Sequence, residues 1–437
     1  MSKNFETMAL VDSEASPRLI AFYLTQFHPV AENDLWWGKG FTEWTNVTKA
    51  MPLFESHYQP HLPTDFGFYD LRLRETRRDQ IKSAKQYGID GFCYHYYWFS
   101  GKRLLNFPLD DMLSDSESNM PFCLCWANEN WTRRWDAAEH EVLIEQQYLP
   151  NDDIDFIKSL IPFFKDKRYI HVDGKPYLIV YRPQHIRDLP KTVGVWRQYC
   201  RQIGIGEIHL CAALTHGNDD YVKFGFDSGV EFPPHNLKSA NINNQLDFFD
   251  TFKGNVFQYS DIAEYYLNHN YLNENVFKCI FPSWDNTART KERALIVLNG
   301  SPDNYEFWLS STLDKVKNAT QGDQLIFINA WNEWAEGCHL EPDRLHGKSF
   351  LQATLNAKTG LRRLNSFSSN INNAKVALVN PKKSFLRDLT SVISCHAFII
   401  LSDLKRGIHK RKLVYDTLYP FVFALRHFKD ILKKLIN

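Results

Sequence analysis

The fold is most constrained by a repeat of short, nearly continuous apolar runs that alternate with longer amphipathic stretches. Eight apolar runs occur, at residues 18–27, 91–99, 121–127, 177–182, 207–214, 227–232, 276–282 and 324–330. Helical periodicity lies between most of them, at residues 71–87, 152–165, 195–203, 260–269 and 306–317, and again at 347–361. Apolar strands that alternate with helices indicate a parallel sheet covered on both faces, and eight such units predict a closed (β/α)8 TIM barrel.

The two ends of the chain depart from this pattern. Residues 1–17 form a predicted N-terminal extension, residues 18–365 the barrel, and residues 366–437 a basic helical tail. The tail carries 13 Lys and Arg against 4 Asp and Glu, although the whole chain has no net charge. A basic segment favours an anionic surface, and we expect a membrane rather than nucleic acid. A helical appendage packed on the barrel is an equal alternative.

The sequence contains few features that indicate a cellular compartment. The first 18 residues lack the apolar core of about 7–15 residues that a secretory signal needs. Nor does any apolar stretch reach about 18 residues, the length that spans a bilayer. The eight cysteines are dispersed, and Cys123 and Cys125 lack a second pair that would complete a zinc site. We therefore expect reduced core thiols in a cytoplasmic protein, with the tail as a peripheral contact to the inner membrane.

Polar and aromatic side chains accumulate where the apolar runs end, and the carboxyl ends of barrel strands converge on one rim. Loops begin at strand ends, which explains Asn and Asp there but explains the repeated Trp, His and Glu less well. Aromatic residues make up 15% of the chain, and flat rings suit the faces of pyranose sugars as well as a large core. The predicted substrate-binding residues are Tyr23, Gln26, His28, Glu43, Trp44, His95, Trp126, Asn128, Glu129, Trp131, Glu231, Trp284, Asp285, Trp331 and Asn332.

The candidate catalytic pair is Glu333 and Glu336, which follow the eighth apolar run in the sequence Asn-Ala-Trp-Asn-Glu-Trp-Ala-Glu-Gly. Carboxyl groups three positions apart are neighbours on one helical turn, and two carboxyl groups are the basic requirement for acid/base cleavage of a glycosidic bond. The flanking Trp331 and Trp334 could raise one pKa by desolvation. A solvated Glu pair that begins a helix is the alternative.

No cofactor is predicted. The glycines after residue 37 do not form a phosphate-binding pattern. His28, His95, His216 and His235 are spaced too irregularly to predict a metal site, so we expect none.

Five stretches of this chain resemble the WbsX-type family found with bacterial O-antigen and capsule biosynthesis: residues 36–44, 57–63, 91–99, 121–133 and 329–343. That family is similar to glycoside hydrolase family 99, the endo-α-mannosidases and endomannanases. The resemblance covers residues 18–361 and leaves out the tail. It implies a metal-free (β/α)8 barrel with two catalytic glutamates after the last strand, a position that Glu333 and Glu336 match.

The resemblance also implies roles. Glu333 would act as a base on the sugar 2-hydroxyl, giving a 1,2-anhydro sugar with retention, and Glu336 would protonate the departing oxygen. We expect an enzyme that acts on a glycan or a lipid-linked oligosaccharide in surface polysaccharide metabolism. A glycosyltransferase that uses a nucleotide- or lipid-linked donor is one alternative, and a non-catalytic glycan-binding protein is another.

Overall fold

Eight parallel strands close into a barrel in the computed structural model of the chain. Each strand pairs with the next one along the chain, and β1 pairs with β2 on one side and with β8 on the other. The predicted (β/α)8 barrel is therefore confirmed. The strands are Arg18–Tyr23 (β1), Gly91–Phe99 (β2), Phe122–Trp126 (β3), Lys175–Val180 (β4), His209–Leu214 (β5), Ser228–Glu231 (β6), Val276–Ile280 (β7) and Leu325–Ile328 (β8).

The structure describes residues 17–133, 138–149, 151–249, 252–318 and 324–361, together with 364, 366 and 367. Its α-helices are Ala31–Trp37 (α1), Glu43–Val47 (α2), Arg74–Gln86 (α3), Phe107–Ser114 (α4), Asp152–Phe164 (α5), Leu189–Gln202 (α6), Tyr259–Asn268 (α7), Thr287–Thr290 (α8), Pro302–Lys317 (α9) and Ser349–Thr359 (α10). Short strands outside the barrel are Lys102–Leu104, Trp131–Arg133, Ala138–Ile144, His171–Val172, Asn255–Gln258, Trp284–Asp285, Leu295–Leu298, Asn332–Glu333 and Cys338–His339.

The barrel strands are buried on both faces, which explains their lack of apolar–polar alternation. All six residues of β5 and all four of β8 are buried. Tyr177, Phe277 and Phe327 come from three different strands, and their ring centroids lie 5.5 to 6.2 Å apart, so aromatic rings fill the interior. Outside the barrel, Phe156 of α5 and Trp196 of α6 pack 5.1 Å apart and close the face beside β3.

Gly91 lets β2 begin close to its neighbours. A Cβ atom there would lie 2.9 Å from the Ile20 side chain and 3.0 Å from the Pro121 carbonyl oxygen. These distances are shorter than ordinary van der Waals contacts, and the tightly packed core around Gly91 could shift to relieve them only at a cost in stability. Glycine at the strand start therefore permits the register in which Ile20 faces Gly91.

Six of the eight strands end earlier than their apolar runs do, while β2 and β5 end where their runs end. β1 ends at Tyr23 rather than at residue 27, so the polar side chains that follow lie in loops on the rim. The loop after β1 contains α1 and α2, and the segment after β3 forms an antiparallel hairpin, Trp131–Arg133 with Ala138–Ile144.

Predictions for residues 1–16 and 368–437, including the basic tail, lie outside the described residues. Among the residues that are described, no helix is both long enough and apolar enough to cross a bilayer.

Candidate active site

The loop after β8 brings Glu333 and Glu336 to the same side of the chain. The short strands Asn332–Glu333 and Cys338–His339 pair in antiparallel, and a 3-10 turn over Trp334–Glu336 connects them. Gly337 ends that turn in the left-handed region with φ of 57°, and a Cβ atom there would lie 2.9 Å from the Asp285 carbonyl oxygen. The turn therefore needs glycine, and it directs both carboxyl groups into one cavity.

That cavity has a volume of about 380 Å³ and opens at the carboxyl end of the barrel. Of the predicted site residues, it is lined by Gln26, His95, Glu129, Trp131, Trp284, Glu333 and Glu336. Side chains that the sequence did not single out as site residues also line it, including Trp37, Tyr97, Tyr181, Phe232 and Arg289. The structure thus brings segments from most barrel strands together around the two glutamates.

Arg289 of α8 is the central contact of the carboxylate pair. Its Nη1 donates to Glu336 Oε1 at 2.7 Å, and its Nη2 donates to Glu333 Oε1 at 2.7 Å. One planar guanidinium bonds both groups, so the two bonded oxygens are less than about 8 Å apart, which is below the upper limit of about 9.5 Å for two carboxyl groups that share a glycosidic bond. Nη2 also lies 3.3 Å from Glu43 Oε2.

The charges at this site do not balance if all groups are ionised, because three carboxylates face one guanidinium. Burial raises the pKa of Glu333 well above its usual value; Arg289 opposes this shift, while Glu336 and Glu43 add to it. Burial also raises the pKa of Glu43, whose side chain is fully enclosed. The Glu336 side chain is the most accessible of the three, at 23% exposed against 9% for Glu333. The site therefore favours retaining a proton near neutral pH.

Aromatic and imidazole rings form the walls of the cavity. Trp131 contacts Trp36, Tyr97 and Phe99, with ring centroids 5.3 to 5.8 Å away, which fixes its indole at the rim. Across the cavity, the Tyr181 hydroxyl lies 3.0 Å from His235 Nε2. Rings beside hydrogen-bonding groups suit a ligand with apolar faces and hydroxyl edges, which is the character of a sugar.

A buried hydrogen-bond network supports the turn from below. Glu341 accepts from Trp334 Nε1 at 2.7 Å, from the Tyr69 hydroxyl at 2.8 Å and from Gln80 Nε2 at 2.6 Å. The Tyr23 hydroxyl donates to Gln80 at 2.6 Å. Burial raises the pKa of Glu341 to about 7, and the donors around it oppose this shift. The network ties the turn to β1 and α3.

Ten of the predicted substrate-binding residues do not line the cavity: Tyr23, His28, Glu43, Trp44, Trp126, Asn128, Glu231, Asp285, Trp331 and Asn332. All ten are buried. Position at a strand end brings a residue near the rim but does not decide whether its side chain faces the opening, so the sequence pattern could not separate these ten from the five that line the cavity.

Several of these ten residues hold loops in place. Asn332 Nδ2 donates to the Leu24 carbonyl at 3.0 Å and its Oδ1 accepts from Leu24 N at 2.8 Å, which joins the loop after β8 to the end of β1. Asn128 bonds the backbone of Arg182 in the same two-way manner. Asp285 accepts from His57 Nε2 at 2.6 Å and from Gln59 Nε2 at 2.7 Å.

The remaining ones have structural partners of other kinds. Glu231 accepts from Lys278 Nζ at 2.8 Å and from Cys279 N at 3.1 Å. Trp126 packs on Phe156, with ring centroids 4.1 Å apart. Trp331 packs on Phe92, with ring centroids 5.3 Å apart. His28 is enclosed by the protein, and this burial lowers its pKa to about 4. Trp44 packs against Phe27, Tyr69 and Trp334, the last of which lies in the turn between Glu333 and Glu336.

Comparison with known proteins gives a family. A family model described as Glyco_tran_WbsX, glycosyltransferase WbsX, matches residues 19–354. Two curated relatives, both called uncharacterized protein WxcX and from two strains of Xanthomonas campestris pv. campestris, are 43% and 42% identical over 343 and 357 residues. These alignments cover 78% and 81% of this chain but 49% and 51% of the relatives, so the chain spans about half their length.

Among solved structures, a GH99 endo-alpha-mannosidase from Bacteroides thetaiotaomicron in complex with bis-tris-propane matches with a TM-score of 0.46 and 13% identity. That match covers 79% of this chain and 97% of the other. The family match confirms the resemblance stated from the sequence motifs.

Proposed function

Because the chain belongs to the WbsX glycosyltransferase family, we propose that it is a carbohydrate-active enzyme that breaks or re-forms a glycosidic bond in bacterial surface polysaccharide metabolism. One observation carries the proposal: Glu333 and Glu336 face one aromatic-walled cavity from a single short turn. Two carboxyl groups at this spacing can supply both the base and the acid that glycosidic cleavage needs.

The proposed chemistry has two steps and retains the configuration of the sugar. Glu333 takes the proton of the 2-hydroxyl, O2 attacks C1, and the bond from C1 to the departing oxygen breaks as that oxygen takes a proton from Glu336. In the second step Glu336 takes a proton from water or from an acceptor hydroxyl, whose oxygen attacks C1. The bond from C1 to O2 breaks, and O2 recovers its proton from Glu333. Atoms and charges balance without a cofactor.

Arg289 supports the base role of Glu333. Burial alone favours the protonated form of this carboxyl group, whereas a base must be ionised. The guanidinium at 2.7 Å is the group that opposes burial and stabilises the carboxylate. Glu336 is more exposed and lies nearer to water, which suits a group that exchanges a proton with both the leaving oxygen and the attacking one.

Two substitutions test these roles. Glu336→Gln should lower turnover of oligosaccharides about 10²–10⁴-fold, because the leaving oxygen loses its proton donor. The same variant should keep turnover of glycosyl fluorides, since fluoride leaves without protonation. Glu333→Gln should lose activity on both substrate types. The matched control is Glu264→Gln on the exposed face of α7, which should behave as wild type. Near-normal cleavage of oligosaccharides by Glu336→Gln would remove the assignment.

The description of the family model favours transfer over hydrolysis, so a glycosyltransferase is the second candidate. It would use a nucleotide- or lipid-linked donor at the same cavity. Incubation with a panel of nucleotide sugars and glycan acceptors discriminates between the two. Release of nucleoside diphosphate that requires an acceptor supports transfer from a nucleotide donor. Glycan binding by calorimetry without any product would instead indicate a binding protein.

A further inference from the structure

Two sequence motifs remain outside the proposed chemistry, residues 57–63 and the end of the stretch 329–343. His61 lies in the first motif, and His339 and Asp343 lie in the second. One donor atom from each of these three residues lies within 4.8 Å of the other two. His339 and Asp343 are buried, while His61 is partly accessible and leaves an approach from solvent. We propose that His61, His339 and Asp343 bind a divalent transition-metal ion, Zn²⁺ in the first instance.

The two imidazoles have the spacing that a metal ion requires. His61 Nδ1 lies 3.2 Å from His339 Nε2, and two nitrogens bound to tetrahedral zinc at about 2.0–2.1 Å lie about 3.3 Å apart. The ring planes are at 89° to one another, so the rings do not stack and both edges can face one point. Imidazole nitrogens together with a carboxylate oxygen form a donor set that suits zinc.

The next contacts orient the proposed ligands. His339 Nδ1 lies 3.0 Å from the Glu341 carbonyl oxygen, so this nitrogen carries the proton and Nε2 presents its lone pair. A histidine that binds a metal usually donates its other N–H to a carbonyl or carboxylate in this way. Asp343 Oδ1 accepts from His346 N at 2.5 Å, which fixes the carboxylate and leaves its second oxygen for the ion.

Backbone hydrogen bonds hold the two ligand segments together in the absence of an ion. Thr64 N donates to the Pro342 carbonyl at 3.0 Å, and Arg344 N donates to the Leu62 carbonyl at 2.9 Å. The site is therefore largely formed by the fold, and the ion has little chain to order when it binds. The remaining coordination position would be filled by water.

An ion here would stabilise the loop that carries the carboxylate pair. The His339 ring stacks on Trp334, with centroids 3.7 Å apart and planes at 15°. Trp334 lies in the turn between Glu333 and Glu336. Metal binding can be measured directly and does not depend on the proposed enzymatic reaction. It departs from the metal-free expectation that the family resemblance implied.

The competing explanation is a plain hydrogen bond from His61 Nδ1 to His339 Nε2, and metal titration separates the two. The full chain is purified without a metal-affinity step, stripped with a chelator, and titrated with Zn²⁺ against a chromophoric competitor. One Zn²⁺ per chain and a rise in melting temperature are expected. Co²⁺ in the same site should give the intense visible absorption of a four-coordinate ion with nitrogen and oxygen ligands.

Substitutions identify the site. His61→Gln and Asp343→Asn should each weaken Zn²⁺ binding by more than about 100-fold. Loss of a residue that is hydrogen-bonded to a metal ligand lowers metal affinity by about 10–100-fold, and loss of the ligand itself should lower it further. His171→Gln is the control, because His171 is a partly buried histidine on a different short strand. It should bind Zn²⁺ as wild type does. No stoichiometric Zn²⁺ or Co²⁺ binding by the wild-type protein would overturn the proposal. Zn²⁺ binding that survives in both ligand variants would overturn it equally.

Discussion

Arg289→Gln should make the stability of this protein strongly dependent on pH. The Arg289 side chain is only 14% exposed, and it is the cation that contacts Glu333, Glu336 and Glu43. Glutamine keeps part of the side-chain volume but removes the charge. Three carboxyl groups then remain close together in a buried site without the guanidinium, and each ionised one repels the others at low local dielectric.

The size of the effect follows from that burial. Removing one partner of a buried ion pair costs about 3–5 kcal/mol of unfolding free energy, because the other charge stays buried and unpaired. Protonation relieves this penalty. A carboxyl group whose pKa is raised in the folded protein binds more protons there than in the unfolded chain, so stability falls as pH rises above about 4.5. Each extra proton held by the variant steepens that fall by about 1.4 kcal/mol per pH unit.

Urea unfolding of the full chain at about pH 5 and about pH 8 measures this difference, since these values bracket the range in which the raised pKa values act. The free energy lost by Arg289→Gln should be several kcal/mol at the higher pH and much smaller at the lower one. The matched control is Arg201→Gln. Arg201 is 54% exposed and pairs with Glu207, which is 38% exposed, so its loss should cost no more than about 1 kcal/mol at either pH.

A double substitution completes the test. Arg289→Gln combined with Glu336→Gln removes one of the competing charges and should recover part of the stability lost at about pH 8. Coupling of this kind is expected for residues in direct contact and not for distant ones. Equal losses at the two pH values, or a loss no larger than that of Arg201→Gln, would refute the reasoning.

Three further predictions concern the same loop and cavity. Burial raises the pKa of Glu341 from 4.5 to about 7. The unfolding free energy of the wild-type protein should therefore fall by about 3 kcal/mol through this group as the pH rises from 4.5 to about 7. Urea unfolding of Glu341→Gln over the same pH range should lack this contribution. Gly337→Ala should lower the unfolding free energy by about 1–2 kcal/mol because of the positive φ, and by a further amount because the new Cβ atom would contact Asp285. Gly225→Ala is the control: it also has a positive φ but lies in open space, so thermal melts should show only the loss of about 1–2 kcal/mol. Trp131→Ala should weaken binding of a cognate glycan about 10-fold by calorimetry, because it removes a stacking surface from the cavity wall, and unchanged affinity in a folded variant would count against that role.

The barrel could be predicted from the sequence because its physical cause is local. A strand that is buried on both faces is apolar along nearly its whole length, as β8 is throughout and β5 is after His209, and each such run carries its own signal. The ends of the strands were less predictable. Residues 24–27 are two apolar and two polar residues, all of them buried, but they continue the buried chain as a loop rather than as a strand, and burial alone does not separate the two.

The carboxylate pair was recognisable because Glu333 and Glu336 are close in sequence and flanked by tryptophans. The orientation of other strand-end residues was not. Glu231 is the last residue of β6 and Glu129 follows β3, yet Glu231 is held by Lys278 away from the cavity while Glu129 lines it. A difference of one position along a strand reverses the side on which a side chain lies, and the register of each strand end is decided by packing across the whole barrel.

Arg289 shows most clearly what sequence reasoning lacked. Two buried carboxyl groups and a third beside them require a nearby cation, so the existence of such a residue could be inferred from electrostatics alone. Its identity could not, because the sequence Thr-Ala-Arg-Thr around it has no distinguishing pattern among the 51 basic residues. The cation is selected by the fold: α8 begins two residues after the short strand Trp284–Asp285 and lies against the Trp334–Glu336 turn, where a Cβ atom on Gly337 would meet Asp285. Close packing of that glycine on the loop after β7 is therefore what brings one arginine within 2.7 Å of both carboxyl groups.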